Sequence, residues 1–235
     1  MVKNQMVHII MPVKDSLETA EQAIRAITQS GYTLCVYDDH STAENAARLD
    51  ALQSELGIEV VHISAHIDHP SPNYRWVLID AQRKALQNGQ DLVIVESDVT
   101  VRPGTIDKMM VASRKSKVGM VAAVTVDEQG QVNFPYEYAK EWTQDGECKK
   151  RLSFCCTRLT KAFLQAYDFA QLDPEKNWYD VFISHQARQM GFVNILQISN
   201  PVLHQPHSSR PWKRLKYTNP LLYYWRKLTQ GRDKI

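Results

Sequence analysis

The chain has 235 residues, 43% of them hydrophobic, and a net charge of only +2. That size fits one large domain, or a domain with a small appendage, with enough apolar content to bury a core. No apolar run approaches the ~20 residues of a membrane-spanning helix. Cys35, Cys148, Cys155 and Cys156 lack C-x-x-C spacing, and Met1–Met11 leads straight into a strand without a signal-peptide pattern. A cytosolic protein with reduced thiols is expected, not a disulfide framework or a zinc site.

The charge is unevenly spread. Pro206–Ile235 holds eight Lys/Arg and one acidic residue, a net of +7, which leaves −5 on the other 205 residues. A basic tail on a mildly acidic body suggests an anionic partner for the tail. The acidic body argues against a nucleic-acid partner, and nothing resembles an RNA- or DNA-binding module.

In chain order, Met6–Met11 reads as a strand ended by Pro12. Asp15-x-x-Glu18 marks a helix start, with the Asp15 carboxylate expected to cap the helix's own N–H groups. Leu17, Ala20, Ile24 and Ile27 follow at helical spacing, and Gly31 suits the C-cap. Thr33–Tyr37 is a second strand, and Asp38-Asp39-His40-Ser41 the turn after it. Leu49, Leu52 and Leu56 mark a helix stopped by Gly57; Ile58–Ile63 is a third strand. A helix is expected over about 73–88, then a buried strand, Leu92–Val95. Another helix starts at Arg102-Pro103-Gly104, and Val118–Val126 is a further buried strand. Beyond a hairpin turn at Asp127–Gly130 the pattern is less regular: a strand at Arg151–Thr157, helices at Leu159–Tyr167 and about Trp178–Met190, and a strand at Val193–Ile198. The alternation predicts an α/β fold with a mostly parallel sheet. Residues 1–125 would bind a nucleotide, 126–205 would complete a substrate pocket, and 206–235 would be a separate tail.

The most informative stretch is Val93-Ile94-Val95-Glu96-Ser97-Asp98-Val99. Glu96 and Asp98 are two residues apart, so in an extended strand they point the same way. They would stand at the carboxyl edge of the sheet, where α/β proteins bind ligands. Two clustered oxygen ligands suit Mg²⁺ or Mn²⁺, which in turn holds a diphosphate. His62, His66 and His69 beside Asp68 have no metal-ligand spacing and are expected in a surface loop.

From here the chain resembles the family 2 glycosyltransferases of GT-A fold, and rhamnosyltransferase-like members in motif style. The resemblance is one of motif order over roughly residues 6 to 204. An apolar strand runs into Pro12-Val13-Lys14-Asp15, where the family has a P-V-Y-N-like turn. Val36-Tyr37-Asp38-Asp39-His40-Ser41 stands where it has V-D-D-G-S. Glu96-Ser97-Asp98-Val99, followed by Val101-Arg102-Pro103-Gly104-Thr105, takes the place of the metal motif. Tyr179-Asp180 at the start of a helix closing with Arg188-Gln189-Met190-Gly191-Phe192 matches the acidic pair and its R-x-x-G-F ending. Leu203-His204-Gln205-Pro206-His207 supplies the late histidine. Glu96, Tyr179 and His40 depart from the usual residues, and the family's G-G-F-D-E-like segment before the base is missing.

The resemblance implies an inverting, metal-dependent transferase, using Mn²⁺ or Mg²⁺ and a UDP- or dTDP-sugar. The acceptor would be a hydroxyl of a glycan or lipid-linked molecule, in cell-envelope polysaccharide synthesis. It assigns the catalytic base to Asp180 and metal ligation to Asp98, with Glu96 and His204 beside it and His207 as a second histidine. Donor contacts fall to Pro12, Val13, Asp39 (to the base), Arg75, Glu96 and Ser97. The basic-aromatic segment 206–235 suits peripheral contact with the inner face of a membrane. Two other readings stand beside this one: a degenerate GT-A domain that binds a nucleotide or partner without turnover, and a sugar nucleotidyltransferase. The latter would need a G-x-G-x-R-x-x-P loop after the first strand, which Met11–Ser16 does not provide.

Overall fold

The computed structural model describes residues 6–111, 117–176, 178–205 and 219–229. The strands are β1 (Val7–Val13), β2 (Cys35–Asp38), β3 (Glu59–His62), β4 (Asp91–Val95), β5 (Val99–Thr100), β6 (Val118–Val126), β7 (Gly146–Glu147), β8 (Cys156–Leu159) and β9 (Val193–His204). The helices are α1 (Leu17–Gln29), α2 (Ala43–Leu56), α3 (Tyr74–Gln87), α4 (Thr105–Val111), α5 (Lys161–Ala166), α6 (Tyr179–Gln189) and α7 (Pro220–Thr229).

The nine strands among the described residues join one sheet in the order β3-β2-β1-β4-β8-β6-β9-β5, with β7 paired to β9. The parallel block β3-β2-β1-β4 arises from the strand–helix alternation, since each helix returns the chain to the amino edge. β8 enters antiparallel between β4 and β6, so β6 and β9 point the same way as the first four strands. The expected strand at Arg151–Thr157 is therefore shifted: pairing begins at Cys156 and ends at Leu159.

The sheet separates two apolar layers. Ile10, Tyr37 and Ile94 pack on one face against Val77 and Leu78 of α3, Phe163 of α5 and Ile183 of α6. Ile9, Met11, Val93 and Val95 pack on the other against Ile24 and Ile27 of α1, Leu49 of α2 and Ile106 of α4. Alternation along each strand sends neighbours to opposite layers. A strand buried on both faces reads as an unbroken apolar run, as β4 and β6 do.

Three local expectations are corrected. Pro12 does not end β1; it pairs opposite Tyr37, and Val13 opposite Asp38. The Asp39 amide donates to Val13 O at 2.8 Å, so Val13 bonds toward β2 and Pro12 faces the other flank. There the β1–β4 register ends at Ile10–Ile94, so the missing N–H of Pro12 leaves no ladder bond unmade. Asp15 does not cap α1. Its Oδ1 accepts from Thr42 N and Asn45 Nδ2, both at 2.9 Å, and so holds the start of α2. Finally, β9 runs on past Ile198 to His204, bent by irregular register against β6 between Ala123 and Thr125.

The turn at Asp127–Gly130 forms as expected, with Gly130 N bonded to Asp127 O and an antiparallel bridge between Val126 and Val132. The four cysteines are buried and unpaired.

Candidate active site

Every long strand of the parallel block ends at the same edge, and the loops that follow carry most of the residues singled out in sequence. The β1–α1 and β2–α2 loops are stitched together there. Lys14 Nζ bonds to His40 O, Asp15 N donates to Ser41 Oγ at 2.8 Å, and the Asp15 carboxylate reaches Thr42 and Asn45. Asp15, Ser16 and His40 all take left-handed backbone, with φ of 53°, 56° and 58°. Non-glycine residues adopt that conformation at a cost, and it clusters at ligand-binding loops. Pro12 and Val13 are the end of β1 that leads into this corner.

Asp39 is buried, 8% exposed, and anchors the start of α3. Its Oδ2 accepts from Ser71 Oγ at 2.7 Å and Asn73 N at 2.9 Å, and Oδ1 from Asn73 Nδ2 at 2.7 Å. A carboxylate has room for about four such bonds, so acceptor capacity remains. Asp38 serves the turn and β3 together: its Oδ1 accepts from Ser41 N at 3.1 Å, its Oδ2 meets His62 Nδ1 at 2.7 Å, and His62 Nε2 meets Asp50 at 3.0 Å. His62 thus belongs to the end of β3 and not to a surface loop. Two hydrogen-bonded carboxylates, Asp50 and Asp38, outweigh the effect of its burial and raise its pKa. His66 stacks on Trp76, and His69 Nδ1 lies 3.2 Å from Asn73 Oδ1.

Glu96 and Asp98 come together by a different route from the one expected. β4 ends at Val95, and residues 96–99 form a turn closed by Val99 N to Glu96 O at 3.1 Å. The turn, with Ser97 at its tip, leaves both carboxylates at the same place. Burial and then the charge of Asp98 push the Glu96 carboxyl up to about 7, with Asp180 adding to the rise. The Cys155 thiol, which donates to Glu96 Oε2 at 3.2 Å, and His204 act in the other direction. Cys155 precedes β8, whose insertion beside β4 places it there; Glu96 N also bonds to Cys155 O at 3.0 Å.

His204 is the last residue of β9, 4% exposed, paired opposite Val99 in the sheet. Its Nδ1 lies 2.6 Å from Phe134 O and its Nε2 3.5 Å from Asp98 Oδ2. Burial lowers its pKa, but the hydrogen bond and charge of Asp98, then the charge of Glu96, outweigh it and the net shift is upward. Asp180 stands in the first turn of α6, where a carboxylate is favoured by the helix dipole, and its Oδ1 accepts from Val181 N at 2.9 Å. Its charge reaches both Glu96 and Tyr74.

Glu96, Asp98, His204 and Asp180 thus share one electrostatic neighbourhood although they lie on three separate stretches of chain. Arg75 is engaged elsewhere. Its Nε donates to Leu172 O at 2.7 Å and its Nη2 to Ala170 O at 2.5 Å, docking the 169–172 turn onto α3. His207 lies outside the described residues. Sequence reasoning did not point to Cys155, to the Phe134 carbonyl or to Tyr74; each reaches the site through tertiary packing, and no local motif marks it.

Among the described residues, no group of three or more His, Cys, Asp or Glu side chains is arranged so that it could hold a metal ion. The donor set itself suits a divalent cation. Two carboxylates and an imidazole offer hard oxygens and one nitrogen, and Phe134 O fixes the imidazole so that Nε2 faces Asp98. With Nδ1 carrying the donated proton, a neutral His204 would turn a lone pair on Nε2 toward a carboxylate oxygen. A proton on Nε2 turns this contact into an ion pair, the state that Asp98 favours.

No family model matches the chain, and no curated protein matches it. Solved structures do. A mannosyltransferase from Pyrobaculum calidifontis, in complex with GDP-Man and Mn²⁺, superposes with a TM-score of 0.59 at 16% identity, covering 99% of this chain and 66% of that one. Residues 1–349 of S. aureus TarS, in complex with UDP, give 0.63 at 14% identity, over 89% of this chain and 63% of that one. The chain therefore spans just under two thirds of each. At this identity the likeness establishes the fold: the α/β, GT-A-like sheet of these proteins.

Proposed function

We propose that this chain is a metal-dependent glycosyltransferase that moves a sugar from a nucleoside-diphosphate donor to an acceptor hydroxyl. The observation that carries the reading is the convergence of Glu96, Asp98, His204 and Asp180 at the carboxyl edge of the sheet. The GT-A-like neighbours that hold GDP-Man with Mn²⁺, and UDP, support it.

In this reading Asp98, Glu96 and His204 would hold Mn²⁺ or Mg²⁺. A divalent cation there offsets charge developing on the diphosphate leaving group. Asp180 takes the proton of the acceptor hydroxyl as its oxygen attacks the anomeric carbon, and direct attack inverts that centre. A positioned base contributes roughly 10²–10⁴ in rate. The nucleoside lies in the corner made by Pro12, Val13 and Asp39. The spare acceptor capacity of Asp39 is read as taking the N–H of uracil or thymine, and Ser97 lies beside the donor. Arg75 shapes the pocket by holding the 169–172 turn. Residues 1–125 carry the donor side and 126–205 the acceptor side.

The acceptor is a glycan or lipid-linked hydroxyl, met at the inner face of the membrane, where the basic segment 206–235 associates peripherally. Its net +7 charge and the exposed Leu221, Tyr224 and Trp225 of α7 support that contact. No helix among the described residues is long and apolar enough to cross a membrane.

The test is nucleotide-sugar turnover with and without Mn²⁺, in the wild type and in Asp180→Asn. Metal-dependent release of nucleoside diphosphate, lost in the variant while nucleotide binding survives, is the expected result. Metal-independent turnover, or full activity in the variant, overturns the assignment. Nucleotide binding without turnover in the wild type would point to a degenerate binding domain.

A further inference from the structure

Tyr74 opens α3 directly after Asn73, the residue that Asp39 grips through its backbone and side-chain nitrogens. The ring packs against Phe154, with centroids 6.2 Å apart, and against Tyr179 at 6.5 Å. Aromatic neighbours on two sides leave it little freedom, so the hydroxyl is aimed rather than free to roam. That hydroxyl is shut off from solvent and has no hydrogen-bond partner. A buried polar group left unpaired costs about 1–3 kcal/mol, and folded proteins keep few of them.

The surroundings say what the hydroxyl awaits. Burial, then the charges of Glu96, Asp180 and Cys155, drive the phenol's pKa well above its ordinary value. Tyr74 is therefore a neutral O–H donor. The carboxylate oxygens of Glu96 and Asp180 are acceptors on the same site. A ligand hydroxyl between them can donate a hydrogen bond to a carboxylate oxygen and accept one from Tyr74, whereas an unprotonated phosphate oxygen can only accept.

We propose that Tyr74 is a substrate-contacting residue whose phenol O–H donates to a hydroxyl oxygen of the transferred sugar, discriminating the sugar nucleotide from its parent diphosphate. The inference rests on the transferase reading above. It goes beyond it by giving the sugar, as distinct from the base or diphosphate, a recognising side chain.

The test compares wild type and Tyr74→Phe, which removes one oxygen and keeps the ring. Calorimetric titration with Mn²⁺ would use UDP-glucose, UDP-N-acetylglucosamine, dTDP-rhamnose and GDP-mannose, each beside its parent nucleoside diphosphate. For the preferred donor, the variant should bind the sugar nucleotide roughly 3- to 10-fold more weakly, the size of one hydrogen bond. Affinity for the parent diphosphate should stay within about twofold. The ligand-free melting temperature should equal or exceed that of the wild type, because no protein hydrogen bond is lost. An unchanged preference for the sugar nucleotide, or an equal loss for both ligands, overturns the role of Tyr74 and leaves the transferase reading standing. A fall in melting temperature with unchanged binding shows a purely structural hydroxyl and also overturns it. Absence of nucleotide binding in the wild type overturns both.

Discussion

His204 and Asp98 meet where the end of β9 brings the chain back beside the 96–99 turn: Nε2 and Oδ2 are 3.5 Å apart, and Phe134 O holds the opposite ring nitrogen at 2.6 Å. The two residues are more than a hundred positions apart in sequence, yet the antiparallel match of Val99 to His204 fixes their distance. An imidazole oriented by a backbone carbonyl presents one nitrogen outward, the arrangement that metal-binding histidines use.

If Asp98 and His204 hold a metal as proposed, loss of either should weaken its binding. Asp98→Ala and His204→Ala should each lower the apparent Mn²⁺ affinity, measured by titrating nucleotide binding against the metal, by about 10-fold or more. Equal metal dependence in the wild type and both variants would remove these residues from the metal site.

Asp39 should matter to stability as well as to the donor. Asp39→Ala leaves the Asn73 N–H and amide without their acceptor at the buried start of α3. A cost of about 1–3 kcal/mol is expected from urea unfolding, with weaker nucleotide binding alongside. An unchanged unfolding midpoint would show that Ser71–Asn73 holds its shape without the carboxylate.

The Asp38–His62–Asp50 chain predicts a pH dependence with a definite sign. Pairing raises the folded pKa of His62 above its ordinary 6.5. The protonated form is thus favoured by folding. Its contribution is complete below the unfolded pKa and fades as pH rises through the folded one. The wild type should exceed His62→Gln in stability by about 1 kcal/mol or less at about pH 5.5, and the gap should close by about pH 9. Unfolding curves at both pH values check this; a gap that widens with pH would contradict the pairing.

The exposed stripe of α7 should bind anionic lipid. Leu221, Tyr224 and Trp225 recur at helical spacing, 85%, 54% and 60% exposed, while Tyr223 is buried on the opposite side. Leu221→Ser with Trp225→Ser should reduce sedimentation with phosphatidylglycerol vesicles severalfold, and raised salt should reduce it in the wild type. Equal sedimentation of the two proteins would exclude this face from membrane contact.

Much of the frame was legible in the residues. Alternating strands and helices, with apolar runs bounded by glycine, locate β1 to β4, α1 to α3, β6 and α6 to within a few positions, because local periodicity reports which face of an element is buried. The same local signals place Asp39 and the Glu96–Asp98 pair after strands, and strand ends gather at one edge of a parallel sheet.

Only tertiary structure decided what those residues touch. Asp15 looked like a cap for its own helix and instead holds Thr42, the N-cap of α2, because two left-handed residues turn it outward across the edge. Arg75 is committed to carbonyls about a hundred residues away. β8 slips between β4 and β6 and brings Cys155 to Glu96, and the length of β9 carries His204 into the sheet beside Asp98. Sequence periodicity encodes burial one element at a time, whereas a site's geometry is set by strand order and register between elements, and those emerge only when distant segments pack together.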